Sequence, residues 1–142
     1  MSYKKSLRGA AQYIHGTSRE SEITEGGPYR VTQILMETLL GRLAAAKGAI
    51  ERKDDLEKTQ ASSRALAIIT ELRTALDFDQ GKEVAVTLNS LYDYMGVRLM
   101  QSVAANDASM VEEVINLMKP VKEGWDGIQE VAEKVLAERA SS

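Results

Sequence analysis

The sequence predicts an all-α fold, an antiparallel up-down four-helix bundle with a short N-terminal amphipathic segment. Three observations point there. Four long stretches place apolar residues at alternating steps of three and four, the spacing of one buried helix face. The composition favours helix, since two prolines and one phenylalanine in 142 residues argue against a β-sandwich. Break signals at Gly26-Gly27-Pro28, Asp54-Asp55, Asp77 to Gly81 and Asn106-Asp107 separate the stretches.

The elements follow in order. Residues 1–27 read as an N-terminal segment and linker, and residues 28–142 as the helical bundle domain. Within the segment, Tyr3, Leu7, Ala10 and Ile14 make a short apolar stripe, followed by the polar run Gly16 to Glu22. A helix of that length is marginal alone and needs a surface to lie on. The first long helix is expected from about Pro28 to Arg52, with proline suited to the first turn. Its inward line is Val31, Leu35, Leu39, Leu43, Ala46 and Ile50.

Asp54-Asp55 caps a second helix over about 56–76, with Ala61, Ala65, Ile68, Ile69, Leu72 and Leu76 inward. The third is expected over about 82–104, carrying Val84, Leu88, Leu91, Tyr92, Met95 and Leu99 inward. The fourth follows Asn106-Asp107, with Val111, Val114, Met118, Val121, Trp125, Ile128, Ala132 and Val135 as its stripe. Short connections between long helices make neighbours antiparallel.

Composition excludes several function classes. No disulfide framework or Cys-based zinc site exists without cysteine, and His15 is the sole histidine. A net charge of −3, from 18 basic and 21 acidic residues, gives no basic field for nucleic acid. The longest aliphatic run, Ala65 to Ile69, is far short of the ~20 residues that span a bilayer, so no membrane insertion is expected. With no targeting segment at the start, the expected location is the cytosol. P-loop, nucleophile-elbow, dinucleotide and zinc-protease motifs are missing, so no catalytic residue, metal or cofactor is assigned. The acidic pairs Asp54-Asp55 and Glu112-Glu113 sit at expected helix starts, where capping and the helix dipole account for them.

The outer faces separate the helices. The first and fourth carry charged backs, as solvated helices do. Opposite its core line the second helix shows Gln60, Ser63, Ala67, Thr70 and Thr74, without a charge. The third shows Val86, Ser90, Val97, Met100 and Ala104, with Asp93 as the exception. Small residues beside Val and Met make a shallow groove that suits another helix. A client helix, the chain's own N-terminal stripe and a second copy in a homodimer all fit it. Without a partner's identity, the residues alone read as a non-catalytic helical adaptor or homodimeric scaffold binding another helical protein.

One set of motifs narrows the choice. Leu91-Tyr92-Asp93-Tyr94-Met95, followed by Arg98-Leu99, resembles the Leu-Tyr-Asp-Tyr-Met signature of the flagellar secretion chaperone family, FliS. Pro28 to Leu35 is similar to that family's Pro-x-x-Leu-x-x-x-Leu opening. Ala44 to Glu51, Ala67 to Arg73 with Leu76-Asp77, and Asn106-Asp107 with Glu113-Val114 and Trp125 follow in the same order. Together they cover about residues 28–128.

The resemblance implies an antiparallel bundle that acts as a cytoplasmic export chaperone without covalent chemistry. It implies a client, the disordered C-terminal segment of flagellin, which becomes helical as it wraps the chaperone. Binding would block premature polymerisation and keep the subunit competent for type III export, with the export gate as a further contact. The client-binding candidates are then Ser63, Ala67, Thr70 and Thr74 on the second helix and Val86, Tyr94, Val97, Met100 and Ala104 on the third. Tyr3, Leu7, Ala10 and Ile14 are the candidate lid, expected to dock on part of the same groove.

Overall fold

The computed structural model describes residues 27–141. Among them lie four helices, α1 (Gly27–Arg52), α2 (Asp55–Thr74), α3 (Phe78–Ala105) and α4 (Ala108–Ser141). The N-terminal stripe of Tyr3, Leu7, Ala10 and Ile14 lies outside the described residues.

The breaks work as the side chains there dictate. The Asp54 carboxylate accepts from the Glu57 amide at 3.1 Å and caps α2. Asp77 does the same for α3 through Gln80, also at 3.1 Å. Asn106 closes α3 in the left-handed conformation (φ 52°, ψ 43°), which asparagine tolerates better than most residues. Asp107 Oδ1 then accepts from the Ser109 amide at 2.9 Å and from its hydroxyl at 2.6 Å, as α4 begins. α4 continues through Pro120, which is exposed.

With links this short, sequential helices return alongside one another. α1 packs against α2 and α4, and α3 packs against the same two, closing a ring around one core. Met36, Leu39, Leu43, Ile68, Leu72, Tyr92, Met95, Leu99, Val111, Val114 and Met118 are fully enclosed there. Burial of each large apolar side chain stabilises the fold by about 1.5–3 kcal/mol, before chain entropy is set against it.

Several expected inward positions are not enclosed; Leu88, Leu91, Val121 and Val135 are only half-buried, and three others have a visible cause. On α1 the enclosed line is Thr32, Met36, Leu39, Leu43, Ala46 and Ile50, while Val31 and Leu35 are only half-buried. Both lines have helical spacing, and the packing of α2 and α4 selects the one that a 32–36 start continues. On α3, Val84 is exposed and Ala85 is buried. The cause is Lys82 (φ 47°, ψ −120°), which kinks the chain between the turn at 78–81 and the rest of α3. That kink stands where the sequence puts the start of the third helix.

A lysine at this φ and ψ is strained by about 1–3 kcal/mol, and glycine is not. Because the Lys82 side chain is exposed, Lys82→Gly should raise unfolding free energy by about 1 kcal/mol after its larger unfolded-state entropy is deducted. Thermal denaturation checks this, and a lower melting temperature would contradict it.

Candidate functional site

The seam between α2 and α3 opens outward as a shallow groove. Its floor is made by residues on the flanks of the two core lines. Gly96 is buried, and a Cβ there would approach Leu66 Cδ1 to 3.4 Å, so its lack of a side chain lets Leu66 lie close against α3. Two depressions open above this floor. The larger, about 250 Å³, is lined by Ser62, Ser63, Leu66, Leu99, Met100, Val103 and Ala104. The smaller, about 130 Å³, lies between Ile69, Thr70 and Arg73 of α2 and Asp93, Gly96 and Val97 of α3. Leu66 and Met100 border both.

Polar clamps close the seam at each end. Arg73 Nε donates to Asn89 Oδ1 at 2.7 Å, and its Nη1 donates to Asp93 Oδ1 at 3.0 Å. At the far end Lys58 Nζ donates to Asn106 Oδ1 at 2.6 Å. Between the clamps no ion pair crosses the seam among the described residues. The floor is therefore uncharged, and Val97 and Met100 stand 43% and 53% exposed above it. Such a surface gains most by covering itself with another apolar face.

The candidate residues divide. Ser63, Thr70, Val97, Met100 and Ala104 line the depressions. Ala67 is exposed on α2 but lines neither, and Thr74 and Val86 are exposed past the Arg73 clamp. Tyr94 turns to the other side of α3, where its hydroxyl donates to Glu113 Oε2 on α4. Sequence reasoning missed Leu66, Ile69, Gly96 and Val103, together with the Arg73–Asp93 pair. Leu66 carried a usable signal, because a large aliphatic between core Ala65 and back-face Ala67 marks the flank of the helix.

The α3–α4 seam is latched toward the C-terminal end of α3. Arg98 Nε donates to Glu113 Oε1 at 2.7 Å, beside the Tyr94 bond. Glu112 reaches Lys47 of α1 at 3.0 Å. These two glutamates thus bind across helix seams, which corrects their assignment to capping and dipole, and the first turn of α4 holds no acid. Burial alone would raise the Asp126 carboxyl, yet hydrogen bonds from Lys122 and from Gln33 outweigh it and hold it low. A further depression of about 490 Å³ lies between the start of α3 and α4, over Met36 and Trp125, and no candidate residue lines it.

Hydrogen bonds from Tyr94 and Arg98 hold the Glu113 carboxyl below its ordinary range. Its contribution to stability is therefore full above the usual glutamate pKa and is lost as pH falls through the lowered value. Glu113→Gln should flatten that part of the acid limb in urea midpoints measured from about pH 7 down to about pH 3. An unchanged acid limb would show that the latch contributes nothing to folding.

Among the described residues no group of His, Cys, Asp and Glu is arranged to hold a metal ion. The family model described as "Flagellar protein FliS" matches residues 10–132. The chain is 42% identical over 122 residues to the flagellar secretion chaperone FliSB of Pseudomonas aeruginosa, covering 86% of this chain and 96% of that protein. It is 31% identical over 122 residues to flagellar secretion chaperone FliS of Vibrio cholerae, covering 86% and 90%. With the FliS of Salmonella typhimurium it shares 36% identity over 112 residues, covering 78% and 83%.

Proposed function

The chain belongs to the FliS family of flagellar proteins, and from that premise we propose that its α2–α3 groove holds the C-terminal segment of flagellin in helical form. Membership makes it a flagellar secretion chaperone and not an enzyme. What supports the client's place is the uncharged seam between the two clamps, with half-exposed Val97 and Met100 above a floor of Leu66 and Gly96.

The mechanism is a binding cycle. A disordered client loses chain entropy when it becomes helical, so affinity has to come from a continuous apolar contact. Each fully buried Leu or Met anchor contributes roughly 1.5–3 kcal/mol, so several are required. Covering the client's polymerising segment keeps the subunit single, and transfer to the export gate proceeds by competition. Tyr3, Leu7, Ala10 and Ile14 are the proposed lid over the free groove. The proposed compartment is the cytosol, where subunits wait for export, and no helix among the described residues is long and apolar enough to cross a membrane.

Calorimetry with the last ~40 residues of the same organism's flagellin tests the proposal, because coupled folding gives a large negative heat-capacity change. No binding at tens of micromolar would reject it. Light scattering of the free protein tests the competing adaptor reading, in which the groove is the interface of a stable homodimer.

A further inference from the structure

We propose that the cleft between the start of α3 and α4 is a second seat for the chain's own N-terminal stripe, and that flagellin, by taking the α2–α3 groove, shifts the stripe into it. The two seats then lie on opposite flanks of α3. The inference rests on the lid reading given above and says where the lid goes.

The cleft is open because its α4 wall carries little side chain. Gly124 lines it, and a Cβ there would meet nothing within 4 Å. Pro120, one turn earlier, offers only its ring. Across from them Val84 is 53% exposed and Leu88 half-buried, above a floor of Met36 and Trp125. At about 490 Å³ the space exceeds the two depressions of the groove combined. The Arg98–Glu113 latch lies farther along α3 and leaves this part of the seam free. Open apolar surface of this kind gains by taking another apolar face.

The point where the chain enters identifies the occupant. Residues 1–26 join α1 at Gly27, at the end of the bundle where α3 begins. Gln33 Nε2 donates to Asp126 Oδ1 at 3.0 Å, so the opening turns of α1 lie beside α4 at the level of Trp125. Met36, one turn on, is part of the cleft's floor. The stretch from Ile14 to Gly27 spans up to roughly 40 Å when extended, enough to reach either flank of α3.

Size and charge agree with that occupant. The cleft runs about 7.5 Å along each wall, from Glu83 to Leu88 and from Pro120 to Trp125, which fits one i,i+4 pair such as Tyr3 and Leu7. Residues 1–14 carry Lys4, Lys5 and Arg8 and no acid, while Glu83 is the one charged residue lining the cleft. Glu83 is exposed and forms no ion pair with another described residue. Lys82 precedes it but does not line the cleft. A client that binds only one of two seats shifts the stripe to the other, and burial there lowers the cost of displacing the lid.

The chain has one tryptophan and no cysteine, so Trp125 fluorescence reports the cleft and a single introduced cysteine reports the segment. Ser6→Cys, carrying a short-range nitroxide quencher, places the label beside Leu7 and off the stripe. The labelled full chain is titrated with the C-terminal flagellin segment of the same organism, any tryptophan in it replaced by phenylalanine. Trp125 emission should fall by about half or more as the groove fills, relative to the unlabelled protein. Glu83→Lys should weaken this quenching, and more so at about 50 mM than at about 500 mM salt. Gly124→Leu fills the cleft from an exposed position, and leucine favours helix over glycine, so the melting temperature should not fall. In that variant the quenching should disappear and client affinity should drop about two- to fivefold, because the displaced stripe has only the groove to return to. If the client binds and Trp125 is never quenched, or Gly124→Leu leaves the quenching unchanged, the second seat is wrong and the lid reading stands. If quenching is complete before the client is added, the stripe never covered the groove, and the lid reading falls together with the exchange. If the segment does not bind, the client reading is overturned and the exchange with it.

Discussion

Val97→Asp should weaken binding of the flagellin C-terminal segment by about 1–3 kcal/mol and leave the melting temperature of the free protein unchanged. Val97 is 43% exposed and borders the smaller depression, so an aspartate there is solvated until a client covers it. Covering it strands a carboxylate against Gly96, Ile69 and an apolar client face. Arg73 borders the same depression and already donates through Nε and Nη1 to Asn89 and Asp93, so only its remaining N–H groups can reach the new carboxylate, which sets the lower end of that range. Ala67→Glu makes the internal comparison. Ala67 is also exposed yet lines neither depression, so a glutamate there stays outside them and the loss should be smaller. Calorimetric Kd values with paired thermal melts separate the two effects. A fall in melting temperature for Val97→Asp would mean that the residue supports the bundle and not the client.

How far the sequence determines this surface can be traced residue by residue. The caps at Asp54 and Asp107 were readable because each acts on amides two or three residues away, whereas Asp77 read only as part of a break and not as the cap of a helix that starts at Phe78. The inward line of α2 was readable too, and on α4 Val111, Val114, Met118 and Trp125 are buried as read, while Val121 and Val135 are half-buried and the side chains of Ile128 and Ala132 lie outside those described. α1 was ambiguous: Val31-Leu35 and Thr32-Met36 both have helical spacing, and only the placement of α2 and α4 selects the second. Val84 was misplaced because a helical pattern assumes constant phase, and the kink at Lys82 resets it. The groove's outer walls were legible as an absence of charge on two helix backs. Its floor was not, because Leu66 and Gly96 lie on flanks where the neighbouring helix decides exposure, while Ile69, read as inward and buried, also borders the groove. Tyr94 shows the same limit. It was a client-contact candidate on the third helix, while its turn toward Glu113 depends on the angle at which α4 packs.

The signature Leu91 to Met95 now divides by role, and its second residue carries the largest predicted effect on folding. Asp93 clamps Arg73, Tyr94 latches Glu113, and Tyr92 and Met95 are enclosed at the meeting of α3 with the core. Tyr92→Ala removes a fully buried ring from a close-packed site that the surrounding helices cannot collapse to fill. It should lower unfolding free energy by about 3–5 kcal/mol, a large share of the roughly 5–15 kcal/mol typical of a domain. Tyr92→Phe keeps the ring and tests the hydroxyl separately. Burial pushes that hydroxyl above the ordinary tyrosine range. The unfolded chain then ionises first, near about pH 10, while the folded protein keeps its proton. Stability tied to Tyr92 is therefore full below that pH and is lost as pH rises toward the folded value. The phenylalanine variant escapes this loss, so between about pH 9 and pH 11 its urea midpoint should fall less steeply than that of the wild type. Parallel midpoints for the two proteins across that range would show that ionisation of another tyrosine governs alkaline unfolding. A cost below about 1 kcal/mol for Tyr92→Ala would place the ring outside the core that holds α2 and α3 apart and the groove open.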